Sequence, residues 1–289
     1  MADITAKITR KSLKAKKKAA IKTIKTQAKE KIREVKILYA ENPELQKSKE
    51  YEREQKRALR MQKRNAHLAY NERQPRQYTL GEDIFNSISH GVGAGLSVAA
   101  MVLLIIRAYS HAPTPAVRPL YVTSFTIFAS TLFIMYMMST MYHALAPYTA
   151  RKVFSILSHD SIYMLIAGTY TPFALVHIGG FNGWIVFGII WGVSIILISL
   201  YSVYGATVKS LAFFSYLVLG WFFMGTFVFY RASHPLSRLT CTMLISGGIA
   251  YSIGAVFYLM RRYKWTHSIF HLFVLAGSIL QFFGVFYSI

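Results

Sequence analysis

The sequence predicts an all-α membrane protein: a seven-transmembrane-helix bundle that follows a basic helical extension at the amino terminus. The first observation is apolar length. The 289 residues are 54% hydrophobic, and residues 84–289 contain repeated apolar runs of about 20 residues, enough to cross the hydrocarbon core of a bilayer. The second is charge. Residues 1–80 hold 23 of the 33 Lys and Arg but only 9 acidic residues, so their net charge is +14.

Residues 1–78 are predicted to be a basic cytosolic extension of two charged helices. Apolar residues recur at roughly helical spacing among the lysines up to about residue 40, and Asn42 and Pro43 then interrupt the pattern. A second charged helix runs from Glu44 to about Asn71, and the two could pair as an antiparallel hairpin. Such a helix can lie on an anionic lipid surface, the alternative being a solvated extension. We expect no nucleic-acid partner, because residues 1 to about 40 lack glycines and interleaved aromatic residues.

The membrane domain, residues 79–289, opens on a predicted capping box. Thr79 and Glu82 have the spacing at which a threonine hydroxyl and a glutamate satisfy the first free amides of a helix. Seven apolar segments follow, near residues 84–106, 120–144, 154–176, 184–204, 211–230, 239–259 and 265–288. Glycine, serine and alanine recur inside them, as close helix packing in lipid requires.

Basic residues in the short loops predict the orientation of the bundle. With the amino terminus inside, the cytosolic loops carry six Lys and Arg and the opposite loops four, and the basic extension adds to this difference. No signal peptide is visible at the polar amino terminus. We therefore expect a multi-pass protein of the cell membrane with a cytoplasmic amino terminus and an extracytoplasmic carboxy terminus.

Four ionisable residues are predicted to share one layer near the cytosolic boundary. His143 ends the second segment, Asp160 lies near the start of the third, and His267 and His271 open the seventh. The last two are four residues apart, which stacks both rings on one helix face about 6 Å apart along the axis. Ionisable groups are expensive in hydrocarbon, so their convergence indicates a function.

Three neutral imidazoles with an open fourth position are the arrangement of a catalytic zinc ion, so His143, His267 and His271 are the candidate ligands. Zinc lowers the pKa of its bound water, and Asp160 is the candidate carboxylate that accepts the proton. Ser139, one turn from His143, could hydrogen-bond the water or a tetrahedral intermediate. The alternatives are histidines that only pack or face headgroups, and a serine that bonds its own backbone.

Glu82, Asn86 and His90 recur every four residues along the first segment. This stripe could hold the metal-ligand rings in place or form one wall of a substrate entrance. The alternative is a capping glutamate followed by interhelical hydrogen bonds.

Four motifs are specific as a set. They are Gly81-Glu82-Asp83-Ile84-Phe85-Asn86 with His90, Ser139-x-x-Tyr142-His143, Ile166-Ala167-Gly168-Thr169-Tyr170-Thr171-Pro172, and His267-x-x-x-His271. Together they resemble the bacterial hemolysin III family, which is grouped with the progestin and adiponectin receptors and more distantly with alkaline ceramidases. The resemblance covers about residues 78–289. It implies seven membrane helices, a cytosolic amino terminus and a zinc ion held by the three histidines, with Ser139 as a near neighbour.

The chain departs from the family pattern at one position. The pattern has an acidic residue four positions before Ile162, where this chain has Ser158, and Asp160 follows two residues later. Two residues turn a helix by about 200°, so Asp160 could point away from the metal. The extension, residues 1–78, also lies outside the pattern.

The residues and the resemblance favour a zinc-dependent hydrolase that cleaves an amide or ester bond of a membrane lipid, ceramide-like in class. The alternative is a non-enzymatic sensor or receptor-like protein, or a cytolytic one, in which zinc is structural. A carboxylate at the zinc water and a lipid-sized cavity open to it would distinguish the two.

Overall fold

The computed structural model describes residues 2–73, 78–229, 236–260 and 263–289. Nearly all of these residues are helical, and no strand occurs among them. Six of the helices are long and apolar enough to span a membrane. The protein is therefore an all-α membrane protein, as predicted. It divides into two compact units, Met1–Arg73 and Gln74–Ile289.

The first unit consists of two long helices, α1 (Ala2–Leu38) and α2 (Pro43–Arg73). The break between them has a local cause. The side chain of Asn42 accepts a hydrogen bond from the amide of Leu45, and Pro43 occupies the first helical position, where a missing amide costs nothing. Arg33 of α1 bonds two glutamates of α2, Glu50 and Glu54. The two helices therefore fold back on each other at the break.

The second unit contains the apolar helices. They are α3 (Leu80–His111), α4 (Arg118–Ala144), α5 (Tyr148–Pro172) with a π-helical continuation (Phe173–Ile178), α6 (Gly180–Tyr204), a 3₁₀ turn (Gly205–Val208), α7 (Lys209–Phe229), α8 (Arg238–Leu259) and α9 (Thr266–Phe286). Of the α-helices α3 to α9, all except α7 are long and apolar enough to span a membrane. Within α7, the described apolar helix is the shorter stretch Ser210–Phe222. The number of seven spans stays a prediction. Tyr230, the predicted end of the fifth segment, lies outside the described residues.

The start of α3 has the predicted capping box. The hydroxyl of Thr79 accepts from the amide of Glu82, and the carboxylate of Glu82 accepts from the amide of Thr79 at 2.9 Å. These bonds satisfy two of the free donors at the helix amino terminus. Glu82 itself is buried, with 5% of its surface exposed.

Close packing brings several helix ends together. α3 packs on α4 and α9, α4 packs on α5, and α8 packs on α9. Gly93 allows the α3–α4 approach, since an added β-carbon would lie 2.6 Å from the ring of Tyr136. The starts of α3, α5 and α9 and the end of α4 consequently meet. We call this region the α3-start end of the bundle.

Candidate metal centre

Three histidines meet at the α3-start end. His143 lies in the last turn of α4, and His267 and His271 lie in the first two turns of α9. One ring nitrogen of each lies within 4.8 Å of those of the other two. All three residues are buried. The predicted convergence of these three histidines is therefore present in the structure.

Hydrogen bonds indicate which nitrogen of His143 faces the group. Its Nδ1 lies 3.0 Å from Oδ1 of Asp83, so this nitrogen carries the proton and donates it to the carboxylate. Its Nε2 then holds a lone pair, is buried, and has no hydrogen-bond partner among the described residues. The Nε2 atoms of His267 and His271 lie 3.1 Å apart. The unsatisfied lone pair of His143 Nε2 beside these two nitrogens suits a cation, which would replace the hydrogen bond that this atom lacks.

Asp83 supports His143 from α3. The same Oδ1 atom accepts from Nη2 of Arg151 on α5 at 2.6 Å. Asp83 is 3% exposed, so its charge requires the guanidinium as a partner. Arg151 also lies over the ring of Tyr142, 5.4 Å from the centroid. These contacts join three helices behind the ring of His143 and fix its orientation, as carboxylate partners of metal-ligating histidines do.

His90 and Ser139 form a second polar contact beside the group. His90 Nδ1 lies 2.7 Å from Ser139 Oγ, so the serine bonds a side chain of another helix rather than only its own backbone. The ring of His90 stacks on that of His271, with centroids 3.7 Å apart. Of the predicted stripe on α3, His90 thus packs directly against a candidate ligand, while Glu82 caps the helix.

An apolar cavity of about 190 Å³ opens from the histidines into the bundle. Ser139 and Tyr78 line its polar end, and the ring of Tyr78 stacks on that of His267 with centroids 4.5 Å apart. The walls beyond are mainly aliphatic and aromatic. The cavity reaches Gln281, ten residues after His271 on α9, or about 15 Å of helix rise. It can hold a narrow apolar chain with one end at the three histidines.

The chain is similar to known proteins over most of its length. Residues 78–282 match the family model described as "Haemolysin-III related". The chain belongs to this family. It is 38% identical over 214 residues to Hemolysin-3 of Bacillus cereus, covering 72% of this chain and 92% of that protein. It is 36% identical over 208 residues to a Hemolysin-3 homolog of Bacillus subtilis (strain 168), covering 72% and 94%.

This haemolysin III chain does not bring Asp160 to the three histidines. Oδ2 of Asp160 accepts from the hydroxyl of Ser202 on α6 at 2.6 Å, and Asp160 is absent from the cavity lining, which includes Ser158 and Ile162. The physical reason is helix rotation: Asp160 follows Ser158, which lines the cavity, by two residues, so its side chain projects from nearly the opposite face of α5. Asp160 therefore bonds α6 and does not line the cavity at the three histidines.

Sequence reasoning missed Asp83 and Arg151 as functional residues. The motif Gly81-Glu82-Asp83 contains the carboxylate without indicating its contact with His143, and Arg151 is one of the six basic residues of the predicted cytosolic loops. One signal could have found the carboxylate. Beyond residue 80 the chain has three acidic residues, Glu82, Asp83 and Asp160, and an acidic group in a membrane helix requires a partner.

Proposed function

We propose that this protein is a zinc-dependent membrane hydrolase that cleaves an amide or ester bond of a lipid, with the ion held by His143, His267 and His271. The observation that carries the proposal is the position of the three histidines at one end of an apolar cavity. Neither feature alone indicates a hydrolase. A histidine cluster without a cavity indicates structural metal, and an apolar cavity without the cluster indicates only binding.

The donor set fits zinc. Three neutral imidazoles leave one position open, as in catalytic zinc sites, whereas structural zinc sites are closed by four protein ligands. Asp83 holds the proton on Nδ1 of His143, which leaves Nε2 for the ion. When bound at such a site, zinc polarises a carbonyl oxygen and lowers the pKa of a bound water to about 7.

The residues of the chain supply binding and orientation. The apolar walls bury the hydrocarbon of a lipid, and the cavity places one end of the lipid at the histidines. The hydroxyl of Ser139 lines this end and is held by His90. It is placed to hydrogen-bond the polar group of the substrate. Asp160 has no part in this scheme, since it bonds Ser202.

The second candidate is a non-enzymatic sensor or cytolytic protein with structural zinc. One observation favours it: within the described ranges, no carboxylate joins the three histidines as a further member of the group. Asp83 contacts the far nitrogen of His143, and Asp160 faces α6. The name Hemolysin-3, given to the relative from Bacillus cereus, describes lysis by that protein.

Metal analysis combined with a lipid-hydrolysis screen tests the proposal. Full-length protein is purified in detergent without chelator, its metal content is measured, and released fatty acid is followed with ceramides and with glycerol esters. We expect about one zinc per chain and release that stops in His143→Ala. Stoichiometric zinc without release from any lipid class favours the second candidate. Protein that binds no metal contradicts both.

We also propose that the bundle lies in the cell membrane with the α3-start end at the cytosolic face. The large excess of basic residues before α3 supports this orientation. In this arrangement α1 and α2 lie in the cytosol, where their lysines can meet anionic lipid.

A further inference from the structure

Trp265 has a backbone conformation that is unusual for its residue type. Its φ is +67° and its ψ is −6°, and it is the one non-glycine residue with positive φ within the described segments. Bulky side chains disfavour this left-handed region, because the β-carbon crowds the following carbonyl. The residue directly precedes α9, two positions before His267. A contact that fixes the backbone of Trp265 therefore also fixes where α9, with His267 and His271, begins.

Glu82, on α3, binds the backbone of Trp265. Its Oε1 atom accepts a hydrogen bond from the backbone amide of Trp265 at 2.7 Å. The other oxygen, Oε2, accepts from the amide and the hydroxyl of Thr79, at 2.9 and 2.7 Å. The indole ring packs edge-on against Phe85, with centroids 6.0 Å apart, and lies beside Gly81. One buried carboxylate thus joins the first turn of α3 to the entry of α9.

We propose that Glu82 is a positioning residue of the metal centre, holding Trp265 in its left-handed conformation and thereby fixing the direction of His267 and His271. This inference rests on the proposed metal site. The hydrogen bond from the Trp265 amide to Glu82 Oε1, which we call the brace, is a property of the fold. It is distinct from helix capping, because the two roles use different oxygens of one carboxylate. Oε2 serves the cap of α3, and Oε1 serves Trp265.

The separate oxygens allow a matched set of variants. Glu82→Ala removes both contacts, Glu82→Gln keeps one acceptor oxygen, and Thr79→Ala weakens the cap while leaving the bond to Trp265. Zinc affinity is measured on the full chain in detergent by competition with a chromophoric chelator. We expect Glu82→Ala to weaken binding about 10- to 100-fold, as loss of a ligand-orienting partner does. We expect a smaller loss for Glu82→Gln and an unchanged affinity for Thr79→Ala.

Two outcomes of this comparison would overturn the proposal. One is Glu82→Ala with wild-type affinity. The other is Thr79→Ala weakening zinc binding as much as Glu82→Ala, which would make the cap alone responsible. If Glu82→Ala does not fold, Glu82→Gln against Thr79→Ala still decides. The amide weakens the charge-assisted bond to Trp265 whichever way it is oriented, whereas Thr79→Ala leaves that bond unchanged.

A double-mutant cycle tests the backbone conformation. Glycine adopts positive φ without steric cost, so Trp265→Gly removes the strain that Glu82 counters, along with the ring. We expect Glu82→Ala to weaken zinc binding by a smaller factor in the Trp265→Gly background than in the wild-type background. Equal factors in the two backgrounds would show that the conformation of Trp265 plays no part.

Amide hydrogen exchange tests the brace without metal. In zinc-free protein we expect Glu82→Ala to raise the exchange rate of the Trp265 amide about tenfold, the loss of one charge-assisted hydrogen bond. Thr79→Ala should raise exchange only in the first turn of α3. Unchanged exchange at Trp265 would refute the brace. A wild-type chain that binds no zinc would refute the proposed function and leave this exchange result to decide the brace separately.

Discussion

Oδ1 of Asp83 lies 3.0 Å from Nδ1 of His143 and 2.6 Å from Nη2 of Arg151. A single buried oxygen therefore binds one candidate metal ligand and one cation at the same time. The arginine keeps the carboxylate ionised in a low-dielectric setting, and the carboxylate keeps the proton of His143 on the nitrogen that faces away from the other histidines. The contact makes Asp83 part of the candidate metal centre, although in that proposal it does not touch the ion.

Asp83→Asn should weaken zinc binding about 10- to 100-fold, because the amide cannot favour the required tautomer of His143 as a carboxylate does. The variant also leaves the guanidinium of Arg151 without its buried counter-ion, so thermal stability should fall. Chelator competition and thermal unfolding in detergent measure the two effects. Asp160→Asn is the matched control, a buried carboxylate on another helix. Wild-type zinc affinity in Asp83→Asn would contradict this role.

Replacing any one of His143, His267 and His271 by alanine should lower zinc affinity by more than the roughly 100-fold expected for a supporting residue. The reason is that only two of the three ligand nitrogens remain. Ser139→Ala should cost less than any of these, since its hydroxyl bonds His90 and is not in the ligand group. Metal content after dialysis measures both. A histidine variant that keeps stoichiometric zinc would remove that residue from the site.

The parts of the site that local pattern encodes could be read from the sequence. The four-residue spacing of His267 and His271, the capping box of Thr79 and Glu82, and the apolar lengths of the helices all depend on residues within a turn or a span. The depth of the histidines along their helices was predicted from helix rise and the position of the loops. The convergence with His143 therefore required no knowledge of side-chain contacts.

The contacts across helices could not be read in the same way. Asp83 and Arg151 are far apart in sequence, and only the packing of α3, α4 and α5 brings them together. The direction of Asp160 depended on the rotation of α5 about its axis, which spacing alone leaves open. The positive φ of Trp265 has no sequence signal, because the usual residues for that conformation are glycine and asparagine.

Deleting residues 1–75 should leave the bundle folded and able to bind zinc. The structure divides the chain into compact units at Arg73 and Gln74, and no residue of the candidate metal centre precedes Tyr78. Metal content and thermal unfolding of the truncated protein provide the measurement. Loss of zinc on truncation would mean that the extension belongs to the core.

A peptide of residues 1–73 should bind anionic vesicles and not neutral ones. Each lysine near the surface contributes about 1 kcal/mol, so changing Lys22, Lys25 and Lys29 to Gln should weaken binding on the order of 100-fold. Raising the salt to about 1 M, where the screening length is about 3 Å, should release the peptide. Vesicle sedimentation measures both. Equal binding to neutral vesicles would contradict the surface role.

A reporter fused after α9 should be extracytoplasmic, and one inserted between α4 and α5 should be cytosolic. The reason is the basic extension, whose 23 Lys and Arg up to residue 80 favour the cytosolic side. Protease protection of sealed vesicles gives an independent measurement. A cytosolic reporter after α9 would place the α3-start end on the other face of the membrane.

Asp160→Asn should leave zinc bound and should change hydrolysis by less than about tenfold, the effect of losing one neutral hydrogen bond. Its carboxylate bonds Ser202 on α6 and does not line the cavity, so the amide can keep that contact through its own oxygen. Ser202→Ala is the paired variant and should have the same small effect, since both remove or alter one contact between α5 and α6. Zinc content, released fatty acid and thermal unfolding are measured side by side. Retained zinc with a collapse of turnover in Asp160→Asn alone would restore Asp160 as the base that the sequence suggested, and would require α5 to rotate when lipid binds.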